Sequence, residues 1–368
     1  MKAATLALVV AAGAAQAADR RFQAEGVDTG AGIGPRWIAQ AGTGVASADD
    51  VYALYTNPAG LAGVQGFEVS ISRQLNADLH AYNFIGAAWR LPLPEAWGAR
   101  ATVAGSFYPR IHARASGAYT DADFESLFLR FLLPGVDGTF DGDIDSKTKT
   151  WRLAAAIVPS ATGPWTLGFY VDRIDCKSNF CGVHAHANGY TVQSTGAKAY
   201  AYGLGLRYAL SPTLTLGFQA SDLNTRLDIH TVTTDAAGTR ETTTAAHFPR
   251  KLAAGLAWRW TGATTVAADV ESTHGAYGST QVDLQVLRFG LEHRTAPWAL
   301  RAGALVPLRI RSSDSGALKL PAPVAPTAGI GWQAGPLKVD LAVYAHAVMS
   351  MHKDKLSPAA DLSLTASF

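Results

Sequence analysis

The chain has 368 residues, of which 48% are hydrophobic and only 16% are charged, and its formal net charge at pH 7 is +2. A charge this close to zero excludes a protein that binds nucleic acid mainly through phosphate contacts. The apolar content excludes a disordered chain, and 36 glycines at near-neutral mean hydropathy do not fit a bundle of membrane helices.

The first 17 residues are typical of a cleaved signal peptide. Lys2 supplies a positive start, residues 3–15 form a short apolar run, and Ala15-Gln16-Ala17 matches the A-x-A cleavage pattern. The run is shorter than the roughly 20 residues that a spanning helix needs, so a membrane anchor is the weaker interpretation. We expect residues 1–17 to be removed and the mature, exported chain to start at Ala18.

Residues 18–65 show no alternation of apolar and polar positions and are dense in glycine and alanine. A bilayer offers the backbone no hydrogen-bond partner, so an irregular segment of this kind cannot lie in the hydrocarbon. It must therefore be either a periplasmic extension or a plug inside a barrel.

From residue 66 onward the sequence alternates with a period of two, which is typical of strands with lipid on one side and water on the other. In residues 213–221, for example, Leu214, Leu216 and Phe218 share one face. Similar segments lie near 66–74, 80–91, 98–110, 148–158, 164–174, 198–211, 213–222, 247–260, 264–274, 283–294, 298–309, 325–333, 337–349 and 360–368. Only a closed barrel satisfies such strands in lipid, so the sequence predicts an all-β fold, a transmembrane antiparallel β-barrel of about 14 strands over residues 66–368.

The predicted connections alternate between short turns and long, mostly polar loops. Short turns such as Ser211-Pro212 carry turn-forming residues, whereas the loops at 111–147, 175–197 and 223–246 are long. Outer-membrane barrels have short periplasmic turns and longer extracellular loops. Seven of the nine tryptophans lie beside the short turns, as in an interfacial aromatic girdle, and a soluble β-sandwich gives no reason for that placement; they are Trp89, Trp97, Trp165, Trp258, Trp260, Trp298 and Trp332.

The last strand alternates and ends on an aromatic residue, Phe368. This pattern resembles the signal that outer-membrane proteins present to the barrel-assembly machinery. The sequence therefore predicts a protein of the bacterial outer membrane, whose partners are outer-membrane lipid and lipopolysaccharide and, during biogenesis, that machinery.

Two cysteines and a histidine pair share the loop at 175–197. Cys176 and Cys181 lie five positions apart, and an exported chain meets an oxidising compartment, so we predict a disulfide that pins this loop. His184 and His186 form a His-x-His pattern without further ligands nearby, which favours a solvated loop over a metal site. No cofactor is predicted, and no nucleophile–histidine–carboxylate pattern indicates an enzyme.

The stretches Gly42-Thr43-Gly44-Val45-Ala46, Ala48-Asp49-Asp50 and Asn57-Pro58-Ala59-Gly60-Leu61-Ala62 resemble the N-terminal hatch of the FadL-like family of long-chain fatty-acid transporters. They are also similar to the related PorV-like outer-membrane proteins. The resemblance implies a 14-stranded barrel with residues 18–65 as a hatch, or plug, in its lumen. Asn57, Pro58 and Ala59 form the hatch motif, although an Asn-Pro pair before glycine is also an ordinary turn.

Members of that family take up long-chain fatty acids or other hydrophobic compounds such as aromatic hydrocarbons. The resemblance implies capture by apolar extracellular loops, a lumen pocket above the hatch and lateral exit where a strand is kinked. An apolar cluster with helical spacing in the loop at 111–147 is the predicted capture patch, unless it packs inward or rests on the membrane; it comprises Phe124, Leu127, Phe128, Phe131, Leu132 and Leu133.

Gly105 and Pro109 interrupt the third predicted strand and are the predicted kink, although such residues are common near strand ends. Four arginines fall near lumen-facing positions and have the planar fork that suits a ligand carboxylate. Lumen arginines more often balance lumen acids such as Glu68 and Asp340, so we assign none of them; they are Arg100, Arg152, Arg207 and Arg301.

The leading hypothesis is thus passive uptake of a hydrophobic small molecule. The alternative is a PorV-like structural or shuttle component of a secretion or surface-attachment system. A general diffusion porin is disfavoured because it has little use for a plug.

Overall fold

The computed structural model describes residues 21–28, 32–75, 82–94, 98–119, 140–160, 162–175, 184–187, 190–196, 199–277, 280–313, 316–317 and 321–368. The signal peptide, both cysteines and the apolar loop cluster at 124–133 lie outside these residues, and what was inferred about them stays a prediction.

The described residues form one antiparallel sheet of 20 strands. The strands are β1 (Arg21–Glu25), β2 (Phe67–Gln74), β3 (Phe84–Arg90), β4 (Arg100–Tyr119), β5 (Phe140–Val158), β6 (Trp165–Asp175), β7 (His184–Ala187), β8 (Tyr190–Gly196), β9 (Ala199–Ala209), β10 (Leu214–Leu223), β11 (Leu227–Asp235), β12 (Gly238–Ala246), β13 (Arg250–Arg259), β14 (Thr264–Tyr277), β15 (Thr280–Thr295), β16 (Trp298–Ser312), β17 (Gly316–Ala317), β18 (Ala325–Ala334), β19 (Leu337–Ala345) and β20 (Pro358–Ser367).

Fourteen of these strands close into a ring. The order is β2-β3-β4-β5-β6-β9-β10-β13-β14-β15-β16-β18-β19-β20, and β20 pairs with β2 from Glu68–Ser367 to Gln74–Asp361. Phe67 and Phe368 complete the seam by exchanging backbone hydrogen bonds of 2.9 and 2.8 Å. The predicted antiparallel barrel of about 14 strands is confirmed. Among the described residues, no helix is long and apolar enough to cross a membrane.

The alternation seen in the sequence places apolar side chains outside the ring. In β2, Phe67 and Ile71 are exposed while Ser70 and Ser72 are almost fully buried. This is the reverse of a soluble barrel, and it fits an outer face in contact with lipid. Six of the seven girdle tryptophans are described and all are exposed on this face, namely Trp89, Trp165, Trp258, Trp260, Trp298 and Trp332. The architecture is that of an outer-membrane protein.

Parts of the predicted loops are strands. β4 and β5 extend into the loop predicted at 111–147, and the other two long loops contain the hairpins β7–β8 and β11–β12. These strands continue the sheet from β5 in the order β5-β7-β8-β11-β12. Threonine-rich pairs such as Thr231–Thr242 explain the difference, because β-branched residues favour strands although the segments are polar.

The N-terminal segment, residues 21–65, contains one-turn helices α1 (Pro35–Ile38) and α2 (Ala53–Thr56) and a 3₁₀ helix (Pro58–Gly63). It touches two separate parts of the ring. Ala41 donates its N–H to Thr327 of β18 over 3.0 Å, while a Cβ added at Gly217 of β10 would lie 2.1 Å from the carbonyl oxygen of Val45. These contacts hold the segment against both parts of the wall.

We predict that Gly217→Ala prevents the N-terminal segment from packing against β10, because the added methyl group meets backbone atoms of Val45 and Ala46 that cannot rotate away. Purified protein in planar bilayers should show a larger steady ion conductance than the wild type. Gly262→Ala is the matched control, since nothing lies within 4 Å of its added Cβ. Equal conductance of both variants would contradict the predicted contact.

Candidate functional site

A cavity of about 280 Å³ lies in the lumen against the N-terminal segment. Its wall comes from β10 and β13 to β16 and from helix α3 (Ala347–Lys353), which lies between β19 and β20. Most of the lining is apolar and includes Phe248, Val282, Leu284, Val286, Leu305 and Met351. Such a cavity can bury an apolar molecule of modest size.

Charged residues meet at one end of the cavity, around Arg110 of β4. Its Nη1 and Nη2 donate to the two carboxylate oxygens of Asp222 over 2.7 and 2.9 Å, and its Nε donates to Asp28 over 2.6 Å. Asp28 also accepts from Lys251 of β13 over 3.2 Å and from the Tyr55 hydroxyl over 2.8 Å. The N-terminal segment is thereby tied to two strands of the wall.

Asp28 stays ionised in this setting. Burial raises the pKa of its carboxyl group, but the charges of Arg110 and Lys251 and their hydrogen bonds outweigh burial and hold that pKa well below its usual range. The lowered pKa keeps the Asp28 carboxylate charged at neutral pH, which strengthens its contacts with Arg110 and Lys251.

A β-bulge places Arg110. The register between β4 and β5 shifts between Pro109 and Ile111, which leaves Arg110 as the extra residue. A bulge redirects the side chains beside it, and both Arg110 and Ile111 line the cavity. The predicted kink residues differ in their surroundings, since Gly105 lies in regular pairing with Leu153 whereas Pro109 adjoins the bulge.

On its other edge, β4 changes partner near the same point. β3 pairs with it from Arg90–Thr102 only as far as Ile85–Phe107. Beyond the bulge, β1 pairs with residues 112–116, and the N–H groups of Val27 and Asp28 donate to the carbonyls of Pro109 and Arg110. Among the described residues, the partner of this edge of β4 beyond the bulge is therefore the N-terminal segment.

Two more ion pairs flank the cavity. Arg152 donates through Nε and Nη2 to Asp172, each over 2.6 Å, and its third nitrogen donates to the Leu54 carbonyl over 2.9 Å. Arg288 donates to Glu271 over 2.7 Å. The sequence made Arg152 a candidate for binding the carboxylate of a ligand. In the structure it binds the carboxylate of Asp172 instead.

The hatch motif lies against the wall at β9 and β10. The amide nitrogen of Asn57 donates to the carbonyls of Val45, Leu206 and Phe218 over 2.6, 3.2 and 3.3 Å, and its side-chain oxygen accepts from Ala59 N–H over 3.1 Å. Asn57 thus caps the 3₁₀ helix, which begins at Pro58 because proline needs no N–H partner there.

The segment is also held by Arg36, which sequence reasoning missed. Its guanidinium contacts both oxygens of Glu292 over 3.0 and 3.1 Å, Asp50 over 3.0 Å, and Asp49. Trp37 donates to the same Asp50 over 2.9 Å. A lone arginine between Pro35 and Trp37 in an otherwise apolar stretch was the available signal, because a buried charge needs partners.

The remaining lumen arginines have structural partners or lie in solvent. Arg301 donates to Glu292 and to Asp340, each over 2.7 Å. It thus balances lumen acids, as the sequence analysis expected of lumen arginines. Arg207 donates to the Ala48 carbonyl over 2.9 Å, and Arg100 is exposed. No group of histidine, cysteine, aspartate or glutamate residues suited to a metal ion occurs in the described part of the chain.

Known structures share this architecture. The toluene transporter TbuX of Ralstonia pickettii superposes with a TM-score of 0.60 at 14% identity, over 92% of this chain and 99% of that one. The chain has a FadL-type fold. The toluene transporter TodX of P. putida (TM-score 0.55, 14% identity, 92% and 99% covered) and a FadL homologue of Pseudomonas aeruginosa (TM-score 0.54, 11% identity, 94% and 98% covered) agree. No protein-family model matches the sequence, and no curated protein does.

At identities this low the likeness concerns the FadL-type fold alone. The shared fold agrees with the family resemblance that the hatch-like stretches suggested. TbuX and TodX are themselves transporters. The ligand must therefore be argued from the cavity of this chain.

We predict that Arg36→Gln destabilises the protein by roughly 3–5 kcal/mol, because it leaves buried carboxylates without a counter-charge. The midpoint of heat-induced unfolding, followed by electrophoretic mobility in detergent, measures the change. Arg226→Gln is the control, since Arg226 pairs with Asp228 at the surface and such pairs contribute about 0–1 kcal/mol. Similar midpoints for the two variants would show that the Arg36 cluster does not hold the segment.

Proposed function

We propose that this protein is an outer-membrane channel for passive uptake of hydrophobic small molecules. The observation that carries the proposal is a mostly apolar cavity lined by strands of a closed barrel and by residues of the N-terminal segment. A water-filled pore gives an apolar solute no favourable contacts, whereas an apolar cavity binds it by removing its surface from water. Residues 18–65 act as the hatch that keeps ions and water from leaking.

In this proposal, entry is from the extracellular side. The apolar loop residues between 124 and 133 capture the solute, and the cavity beside α3 receives it above the hatch. TbuX and TodX, which are toluene transporters, share the fold, and this likeness supports an apolar solute for the cavity. Outer-membrane lipid and lipopolysaccharide surround the apolar outer face, and the strand that ends at Phe368 is the signal for the barrel-assembly machinery.

Exit is lateral, at the edge of β4 beside Pro109. In the described part of the chain, β3 pairs with β4 only as far as Phe107, and β1 pairs with β4 beyond the bulge. Release of residues 21–28 from β4 would connect the cavity to the bilayer.

We predict that Val286→Trp reduces uptake of radiolabelled toluene, in a strain lacking the native protein, to the level of the empty strain. Val286 is 4% exposed and lines the cavity, so the indole fills it. Val270→Trp is the matched control, because Val270 is 45% exposed on the lipid face. Full uptake with Val286→Trp, or no uptake by the wild type together with a stoichiometric protein partner, rejects the proposal.

We predict that a disulfide between Ala24→Cys and Ala113→Cys blocks release to the bilayer, because these residues are paired across β1 and β4. The background carries Cys176→Ser and Cys181→Ser. Toluene uptake should stop on oxidation and return on reduction. The control bridge joins Ala328→Cys to Val343→Cys on β18 and β19, which stay paired. If oxidation leaves uptake unchanged in the first pair, exit does not occur there.

A further inference from the structure

A groove of about 830 Å³ lies on the lipid-facing side of the barrel wall, across β6, β9, β10, β13 and β14. Two small side chains of the groove, Ala220 and Ala254, each lie between larger apolar side chains of the neighbouring strands. The flanking residues are exposed on the outer face, and they are Leu204 and Leu252 beside Ala220, and Phe218 and Val270 beside Ala254. The small side chains therefore leave a recess that can take an acyl chain of a lipid.

The groove lies below the extracellular edge of the apolar band. Trp165 of β6 belongs to the tryptophan girdle beside the periplasmic turns, and the groove begins beyond it at Leu167 and Phe169. Arg173 is eight residues from Trp165, which is roughly 26 Å along a strand that rises about 3.3 Å per residue. The apolar band of an outer-membrane barrel is about 25 Å tall. Arg173 therefore lies close to the extracellular edge of this band, within reach of the headgroups of the outer leaflet.

Two cations share this edge with aromatic side chains. Arg173 is paired in the sheet register with Trp151 of β5 and with Tyr200 of β9, and both aromatic residues are exposed on the outer face. Lys149 lies two residues from Trp151 on the same face, and its Nζ is 6.0 Å from the centre of the Phe107 ring. Aromatic and long cationic side chains together are typical of the layer in which lipid headgroups lie.

Three cations at this edge, Lys147, Lys149 and Arg173, form no ion pair with the residues that the structure describes. The nearest carboxylates on the same face are Asp145, two residues from Lys147, and Asp175, opposite Lys149 in the register. Burial and the nearby charge of Lys149 lower the pKa of Lys147. A bound anion would offset the repulsion between these two amines.

One lipid can occupy both features if its head lies at the cations and a tail lies in the groove. Arg173 is four residues beyond Phe169, which lines the groove, and four residues span about 13 Å of strand. A phosphate accepts charge-assisted hydrogen bonds from lysine and arginine, and clustered cations at a membrane surface bind anionic headgroups. The extracellular leaflet of a bacterial outer membrane consists largely of lipopolysaccharide, whose lipid A carries phosphates above several acyl chains.

We propose that one lipopolysaccharide molecule binds to this face of the barrel. A lipid A phosphate lies on Lys149 and Arg173, and an acyl chain lies in the groove along Ala220 and Ala254. None of these four residues lines the lumen cavity, so the inference does not depend on the proposed uptake function.

The test titrates the delipidated mature protein with lipid A in detergent and counts bound lipid by native mass spectrometry. The wild type should bind one lipid A. The double variant Lys149→Gln with Arg173→Gln should weaken this binding by at least about tenfold, because both phosphate donors are lost. Arg309→Gln is the matched control, since Arg309 lies near the extracellular end of β16 but is paired with Asp283 over 2.9 Å. A double variant that binds lipid A as tightly as the wild type overturns the inference.

The groove is tested by a separate variant. Ala254→Phe should weaken lipid A binding by at least about tenfold, because the ring fills the recess between Phe218 and Val270. Ala302→Phe is its control, since Ala302 is exposed opposite Leu291 on the outer face and lies outside the groove. Heat-modified mobility verifies that each variant is assembled. Unchanged affinity in assembled Ala254→Phe contradicts the place given to the acyl chain.

Two further measurements exclude other occupants. Phosphatidylglycerol, an anionic phospholipid with fewer acyl chains, should bind at least about tenfold more weakly than lipid A. Equal affinity for the two lipids would overturn the choice of lipopolysaccharide. Protein dimers that disappear in Ala254→Phe would mean that a second copy of the chain covers the groove, and this result would overturn the inference as well.

Discussion

A backbone N–H or C=O group in the hydrocarbon core has no water to bind, and the ring of strands exists because of that constraint. Closure between β20 and β2, completed by Phe67 and Phe368, removes the last free edge of the ring. Once the wall satisfies its own hydrogen bonds, the two faces of each strand contact different environments, lipid on the outside and the lumen on the inside. The outer face must be apolar, whereas the inner face is free to carry charged groups that no lipid touches.

Those inner charges organise the lumen. A ring of 14 strands is too wide for its own side chains to fill, and the N-terminal segment occupies part of the space. Arg36 ties the segment to β15, and Asp28 ties it to β4 and β13. Because these pairs are internal, they fix the segment against the wall beside a mostly apolar cavity.

The edge of β4 beyond the bulge links the cavity to the wall. The bulge at Arg110 turns this residue toward Asp222, and Asp28, three residues after the end of β1, binds the same guanidinium. Movement of residues 21–28 would thus alter the wall and the charged end of the cavity together. In the proposed function, ligand occupancy and lateral exit are coupled through this one segment.

The sequence alone determined the barrel, because a period of two and the lengths of turns are local properties that lipid and water impose on each strand. It also indicated the hatch-like stretch and the general tendency of lumen arginines to balance lumen acids, which Arg301 and Asp340 follow. It did not reveal the strands hidden in polar loops, the bulge at Arg110 or the carboxylate partner of each buried cation. Those depend on which distant strands face one another across the lumen, for example Asp28 and Lys251, which are 223 positions apart. Only closure of the ring brings such residues within hydrogen-bond distance.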